Sequence, residues 1–309
     1  MVLNLPVMKR LMICAPLIML TSLVHAQNDT SKVSPPDSVI DVSTPDTLNS
    51  GGINLPTSTP EKRQQIYKLK PGVDIPIFVV GAGWSAYAFT KIYSKSPSTE
   101  EEILALNKND INGFDRWAVR PFSESLDRIS YYPFFASMPL PFLFLFGNTK
   151  KDFFKLSGLY LEAMSITGFL YTGSVYFTNR YRPYAYTDES SMEQRTRGGA
   201  KNSFYAGHVA LVATSTFFMA KVYSDYHPES NAKWVFYTLA GTTTAVTAYL
   251  RYRAGQHFPT DLLLGIAQGT VTGLLVPHFH KNKLLKNNNL AILPFSSGRN
   301  VGLSMLYKL

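Results

Sequence analysis

The sequence is poor in charged residues and has almost no cysteine. Asp, Glu, Lys and Arg make up 17% of its 309 residues, against about 25% in an average soluble protein. The single cysteine, Cys14, excludes a disulfide within one chain and a cysteine-based metal site. The 30 basic residues outnumber the 21 acidic ones, but they form no stripe with interleaved aromatics, so we expect no nucleic acid partner. With 45% hydrophobic residues, the composition favours contact with lipid.

The N-terminus has the pattern of a secretory signal. Lys9 and Arg10 precede an apolar run over 11–24, and a small-residue cleavage pattern ends at Ala26. We therefore predict a signal peptide at 1–26, with an uncleaved anchor as the alternative. Residues 27–70 are rich in Ser, Thr, Asp and Pro, a composition typical of a disordered tether.

Six apolar runs follow the tether, each close to the length of a membrane-crossing helix. They cover residues 75–93, 129–146, 156–177, 204–220, 234–250 and 262–279. The pattern predicts an all-α domain over 71–280, a bundle of about six hydrophobic helices embedded in a membrane. A soluble all-α domain is the alternative, because the runs are only moderately hydrophobic. Small residues in the last three runs favour close helix packing.

Two of the runs carry unusual residues. Pro133, Pro139 and Pro141 lie in the second run and predict that it is not one straight helix. Glu162 is the only charged residue of the third run, and an ionisable group in such a run is a functional candidate. Residues 100–128, between the first two runs, are charged and periodic, which predicts one or two amphipathic helices.

Three short patterns lie where the last four runs meet their loops. In an up-and-down bundle their positions fall at one end. In chain order they are Arg182-Pro183, Gly207-His208, and the set Arg251, His257 and Asp261. Their order and spacing resemble the type 2 phosphatidic acid phosphatase superfamily, which also contains vanadium haloperoxidases. The motifs of that family are Lys-x6-Arg-Pro, Pro-Ser-Gly-His and Ser-Arg-x5-His-x3-Asp.

The resemblance implies a phosphatase that needs no metal or other cofactor. It implies that His257 attacks phosphorus and forms a phosphohistidine. Asp261 would accept the second N–H of the His257 ring, which fixes the reactive tautomer. His208 would protonate the leaving oxygen and then activate water.

The resemblance also implies the groups that bind phosphate. The guanidinium groups of Arg182 and Arg251 would hold its oxygens, and the backbone N–H of Gly207 would donate to it at a helix start. Val175 stands where the family has Lys, and Ala206 where it has Ser, so two donors are missing and activity is in doubt. Four nearby residues are candidates to compensate: Arg180, Lys201, Ser203 and Arg253.

The resemblance implies a phosphomonoester or diphosphate substrate, such as lipid A, phosphatidate, phosphatidylglycerol phosphate or undecaprenyl diphosphate. Two alternatives remain: a soluble or peripheral periplasmic acid phosphatase of the same superfamily, and a catalytically impaired homologue that binds anionic lipid. The sequence does not indicate an oligomeric state.

The resemblance places the protein in the inner membrane of a bacterial cell envelope, with its site facing the periplasm. If the signal is cleaved, that orientation requires one of the first two runs not to cross. We expect the second run to be a re-entrant or interfacial segment.

Residues 281–309 form a basic tail. His278 and His280 precede Lys281, Lys283 and Lys286, a cluster that favours contact with anionic lipid headgroups over metal binding. The alternating pattern from 290 onwards predicts a short hairpin around residues 296–300.

Overall fold

The computed structural model describes residues 65–281, 290–296 and 301–307. The predicted signal peptide and most of the predicted tether lie outside the described residues. Eight α-helices lie within them: α1 (Pro71–Tyr93), α2 (Glu100–Leu104), α3 (Glu124–Ser137), α4 (Phe153–Phe177), α5 (Met192–Thr196), α6 (Gly207–Tyr226), α7 (Lys233–Arg253) and α8 (Pro259–Phe279). The prediction of an all-α bundle is confirmed.

Proline and capping side chains determine several helix ends. Pro71 and Pro259 occupy the first turns of α1 and α8, where the missing N–H has no helical partner to lose. The hydroxyl of Ser123 accepts the backbone N–H of Leu126 and caps α3. After Ser137 the chain continues in 3-10 turns at Leu140–Leu145 and Gly147–Asp152. The predicted break in the second run is therefore confirmed.

Helices α1 and α4 are parallel neighbours. A Cβ on Gly81 of α1 would overlap the backbone of Ser165 in α4, and further along both helices Ile92 packs against Val175. Just beyond α1, the Nζ of Lys95 donates to the carbonyl of Val175 at 2.7 Å. Both helices therefore end at the same end of the bundle.

The segment between these two helices runs back along the bundle. Ser123, before α3, donates its backbone N–H to Ala254 at the end of α7. Phe144, after α3, packs in a buried cluster with Tyr67 and Phe218 at the opposite end. The axis bends by 89° between Glu124–Leu145 and Gly147–Phe177. Two parallel helices need a connection that returns along the bundle, and the bent pair is either a broken span or a re-entrant loop.

Small residues bring α6 and α8 close together. Gly265, Gly269 and Gly273 follow one another every fourth residue, and a Cβ on any of them would come within 2.7 Å of a carbonyl oxygen of α6. The backbones can approach this closely only because glycine has no side chain. This contact places the first turns of α6 and α8 side by side.

Residues 100–128 form fewer helical turns than predicted. Only α2, of five residues, and α3 are α-helical there, and 3-10 turns lie at Lys108–Asp110 and Arg116–Ala118. The side chain of Asn112 accepts the backbone N–H of Asp115 at 3.0 Å, and such local bonds compete with a helix. The predicted one or two amphipathic helices are limited, within this segment, to α2 and the start of α3.

The outer surface of the bundle is apolar. By length and composition, α1 and α8 are able to cross a membrane, and the bent α3–α4 pair adds up to one more span. Only 17% of the α1 window is buried inside the protein, and Val79, Val80, Trp234 and Leu239 are exposed. Such a surface is stable when it faces lipid.

The C-terminal segment contains an antiparallel pair of strands. β1 (Leu290–Ser296) pairs with β2 (Val301–Tyr307), with Leu290 opposite Tyr307 and Ser296 opposite Val301. The connection falls at the four residues where the sequence indicates a turn.

Candidate active site

His257 lies in the short loop between α7 and α8, and only 2% of it is exposed. Its Nδ1 is 2.7 Å from the backbone carbonyl of Ser203. A carbonyl oxygen can only accept, so Nδ1 carries the proton and Nε2 keeps its lone pair. The ring is therefore held in the tautomer that a nucleophile at Nε2 requires.

Asp261 orients this imidazole indirectly. Its carboxylate accepts the hydroxyl of Ser203 at 2.7 Å and the backbone N–H of Phe258 at 3.0 Å. The acceptor at Nδ1 of His257 is the carbonyl of Ser203, which differs from the predicted direct bond to Asp261. Asp261 thus fixes Ser203, and Ser203 fixes His257.

Arg180 belongs to the support of this loop. Its guanidinium pairs with Asp261 and, at 2.6 Å, with Asp115. Burial raises the pKa of Asp115, but hydrogen bonds from Thr260, Asn112 and Arg180 outweigh it and leave the pKa below its ordinary value. With two carboxylates as partners, Arg180 is not placed to replace a missing phosphate donor.

Arg251 is 2% exposed at the end of α7. Its Nη1 donates to Asp127 at 2.5 Å and to Ser130 at 3.2 Å. Its Nε is buried and has no hydrogen-bond partner among the described residues. An unsatisfied guanidinium donor is costly to bury, so this atom is available to an anion.

Asp127 connects the two predicted phosphate-binding arginines. Besides Arg251 it accepts the side-chain amide of Gln256 at 2.8 Å. The carbonyl oxygens of Gln256, in the side chain and in the backbone, accept the Nη1 of Arg182. Sequence analysis did not find Asp127 or Gln256.

His208 lies in the first turn of α6, and its Nε2 is buried without a hydrogen-bond partner among the described residues. The ring packs against the edges of Tyr131 and Phe134, with centroid distances of 4.7 and 4.9 Å. Asp127, Tyr131 and Phe134 lie at positions i, i+4 and i+7 of α3, one helical face. That spacing is the sequence signal that could have located this wall of the site.

Gly207 and Ala206 form the start of α6. A Cβ on Gly207 would overlap the ring of Tyr171, so only glycine fits beneath that ring. Ala206, at the N-cap, offers no capping hydrogen bond. The first N–H groups of α6 are therefore open to an anionic ligand, as at other helix N-termini.

Two further positions, Val175 and Arg253, are placed by the structure. Val175 is fully buried with Ala88 and Ile92, so a lysine there would bury an unpaired charge. Arg253 is exposed and donates to the hydroxyl of Tyr249 at 3.2 Å, so the structure does not bring it to the histidines.

Lys201 remains a candidate to compensate. The side chain of Lys201 is half-buried. The pKa of Lys95 is lowered by the burial of Lys95 itself and by the positive charge of Lys201. The hydroxyl of Ser203 is already committed to Asp261.

The groups around His257 make the site strongly positive. Burial lowers the pKa of His257 well below its ordinary value of 6.5, and Arg182, Arg251 and His208 lower it further. The two guanidinium groups and the His208 ring therefore lie close enough to His257 to influence its protonation. A neutral nucleophile surrounded by guanidinium groups is suited to a dianionic phosphate.

Residues 157–285 match the model of the PAP2 superfamily. The resemblance predicted from the motifs is confirmed. This PAP2 region, residues 157–285, contains His208, His257, Arg182 and Arg251, whereas Asp127 lies outside it. A search of curated proteins finds no match.

A solved structure is also similar to this chain. It is a transmembrane PAP2 type phosphatidylglycerolphosphate phosphatase from Bacillus subtilis, with 19% identity and a TM-score of 0.38. The similarity covers 67% of this chain and 94% of that chain.

The depressed pKa of His257 predicts its behaviour on titration. Because the ring is neutral well below pH 6.5, its NMR shifts should stay constant between about pH 6 and 8. Vanadate should raise its pKa, since a bound oxyanion offsets the arginines. His227, at the other end of α6, serves as the internal comparison. A His257 ring that titrates near 6.5 without ligand would contradict the described electrostatics.

Asp127→Asn should destabilise the PAP2 region and increase its response to anions. The change removes the counter-ion of buried Arg251, and we expect the unfolding temperature to fall by about 5 °C. Inorganic phosphate should raise that temperature more in the variant, since the anion supplies the missing charge. Asp152→Asn, which breaks an ion pair with Lys155 and a hydrogen bond from Tyr226 at the end opposite His208 and His257, is the control. An equal phosphate response in all three proteins would exclude this role for Asp127.

Proposed function

We propose that the protein hydrolyses a phosphomonoester or diphosphate of a membrane lipid through a phosphohistidine at His257. The observation that supports this best is the convergence of two imidazoles, buried His257 and partly buried His208, with two arginines at one end of the helices. His257 has a fixed tautomer with Nε2 free, and the Nε2 of His208 has no partner among the described residues.

In the first step, the Nε2 lone pair of His257 attacks phosphorus while the bond to the leaving oxygen breaks. His208 acts here as an imidazolium, which the negative charge of the bound phosphate stabilises against the two arginines. It donates its proton to that oxygen and becomes neutral, so the product leaves as an alcohol or a shorter phosphate. The proton on Nδ1 of His257 stays on that nitrogen and remains hydrogen-bonded to the carbonyl of Ser203, which stabilises the positive ring that forms.

In the second step, water attacks the phosphohistidine. The neutral His208 takes a proton from the water, the P–N bond breaks, and inorganic phosphate leaves. His208 loses one proton to the leaving oxygen in the first step and gains another from water in the second, so one cycle restores the starting protonation states.

Arg182 and Arg251 would stabilise the equatorial oxygens in both transition states. Asp127 and Gln256 hold the two guanidinium groups in place, so little rearrangement is needed when phosphate arrives. The donors lost at Val175 and Ala206 lower the expected rate, and the first-turn N–H groups of α6 replace part of that contribution.

The surroundings of the site favour a lipid substrate. An apolar groove of about 320 Å³ lies between the last turns of α7 and the first turns of α8, and its lining includes Trp117, Tyr252, Leu262 and Leu263. An acyl or prenyl chain in this groove would stay in the membrane while its phosphate reaches the arginines. This apolar exterior favours a lipid phosphatase over the soluble acid phosphatase alternative.

The direction of α1 links the predicted signal peptide to the predicted orientation of the site. α1 begins at the end of the bundle opposite His208 and His257 and ends beside them. A periplasmic site therefore requires residue 71 to lie in the cytoplasm, whereas a cleaved signal peptide would place it outside. We propose the inner membrane with a periplasmic site, which requires the run over 11–24 not to export the tether.

His257→Ala should abolish turnover, by about 10⁴-fold or more, because no other group can replace the nucleophile. Rapid quenching in alkali and mass spectrometry should locate the labelled phosphate on His257 in the native protein. A chelator should leave kcat unchanged, and vanadate should inhibit. His227→Ala is the control.

A folded His257→Ala protein that still releases phosphate would overturn the nucleophile assignment. If the native protein binds anionic lipid vesicles but releases phosphate from no lipid ester, the impaired homologue is the correct alternative.

Single cysteines can determine the orientation. In a Cys14→Ser background, Ser125→Cys marks the site end and Thr149→Cys the opposite end. A membrane-impermeant thiol reagent on intact cells should label Ser125→Cys and leave Thr149→Cys unlabelled until lysis. The reverse pattern would place the site in the cytoplasm and would agree with a cleaved signal.

A further inference from the structure

A buried cluster of one histidine and two carboxylates lies at the end of the bundle opposite His257. Asp74 comes from the first turn of α1, Glu162 from α4, and His280 directly follows α8. The three residues are 8%, 4% and 8% exposed. His280 is buried, so its predicted place in a headgroup-binding cluster is wrong.

The ring of His280 is held with its Nε2 towards the two carboxylates. Its Nδ1 is 2.7 Å from the backbone carbonyl of Val276, so Nδ1 carries a proton. Nε2 lies 3.1 Å from Asp74 Oδ1 and 3.6 Å from Glu162 Oε2. Metal-binding histidines commonly have this arrangement, with the second ring nitrogen donating to a backbone carbonyl.

Among the described residues, no other group donates a hydrogen bond to the two carboxylate oxygens that face His280. Asp74 Oδ2 accepts the backbone N–H of Lys70 at 2.6 Å, which leaves Oδ1 for the cluster. Glu162 Oε2 is buried and has no hydrogen-bond partner among the described residues. Two carboxylates and an imidazole lone pair that face one another repel, so a positive charge is needed between them.

The spacing of the three atoms matches a small divalent cation. All three lie within 4.8 Å of one another. Two ligands of a tetrahedral zinc ion are ~3.3 Å apart for bonds of ~2.0–2.1 Å, and the two distances from His280 Nε2 fall on either side of that value. A cavity of about 360 Å³, which Lys70 and Ile77 also line, reaches the cluster.

We propose that Asp74, Glu162 and His280 bind a divalent cation of the zinc class, with water in the fourth position. One imidazole and two carboxylates form a ligand set typical of Zn²⁺. The ion would join α1, α4 and the end of α8, and it would stabilise the fold without taking part in catalysis. This proposal does not depend on the proposed phosphatase activity.

The test uses the full chain, purified in detergent with an affinity tag that contains no histidine. After chelator treatment and dialysis against Zn²⁺, elemental analysis should find one zinc per chain, and Zn²⁺ should raise the unfolding temperature. Co²⁺ in place of Zn²⁺ should give tetrahedral d–d bands. Glu162→Gln and His280→Ala should weaken zinc binding by about a hundredfold or more. His278→Ala, two positions before His280, should leave zinc binding unchanged.

A native protein that stays folded and takes up no zinc would overturn the proposal, and a proton on His280 would then supply the positive charge. Equal zinc binding by the native protein and Glu162→Gln would also overturn it. If His280→Ala does not fold, the cobalt spectrum of the native protein and the Glu162→Gln titration still decide. The value of kcat is measured separately, at a temperature below that of unfolding. A failed zinc test therefore leaves the phosphatase proposal intact.

Discussion

The site depends on holding two guanidinium groups close to two imidazoles. Like charges in a low-dielectric interior repel strongly, and Arg251 is almost fully buried. Asp127 makes this arrangement stable, because its carboxylate contacts Arg251 directly and reaches Arg182 through Gln256. Burial and the remaining positive potential lower the pKa of His257 and keep its ring neutral, which leaves the Nε2 lone pair free. One carboxylate therefore supports the arrangement of positive groups around His257.

Helix packing brings these groups to one place. The glycines of α8 allow close contact with α6, so that His208 and Asp261, each in a first helical turn, lie at the same end of the bundle. α3 adds the third side of the site through Asp127 and Tyr131. Since α1 and α4 are parallel, α3 and the 3-10 turns after it must return along the bundle.

The sequence predicts the groups that perform chemistry better than the groups that hold them. His208, His257, Arg182 and Arg251 lie in motifs whose spacing follows from the required geometry, and the structure brings them together. Asp127 and Gln256 were missed because their contacts join residues more than 70 positions apart, and only the i, i+4, i+7 face of α3 hints at them. The bond at Nδ1 of His257 was assigned to Asp261, four residues away, although a backbone carbonyl of a distant loop provides it. Pairing with a backbone atom leaves no trace in side-chain patterns.

The two ends of the bundle use the same histidine tautomer in opposite electrostatic surroundings. At each end Nδ1 donates to a backbone carbonyl at 2.7 Å, that of Ser203 for His257 and that of Val276 for His280, and Nε2 faces the interior of a cluster. Around His257 the neighbours are guanidinium groups, which leaves a place for an anion. Around His280 they are carboxylates, which leaves a place for a cation. In both cases the fold leaves the Nε2 lone pair free, and the charge of the neighbouring side chains determines whether an anion or a cation is favoured there.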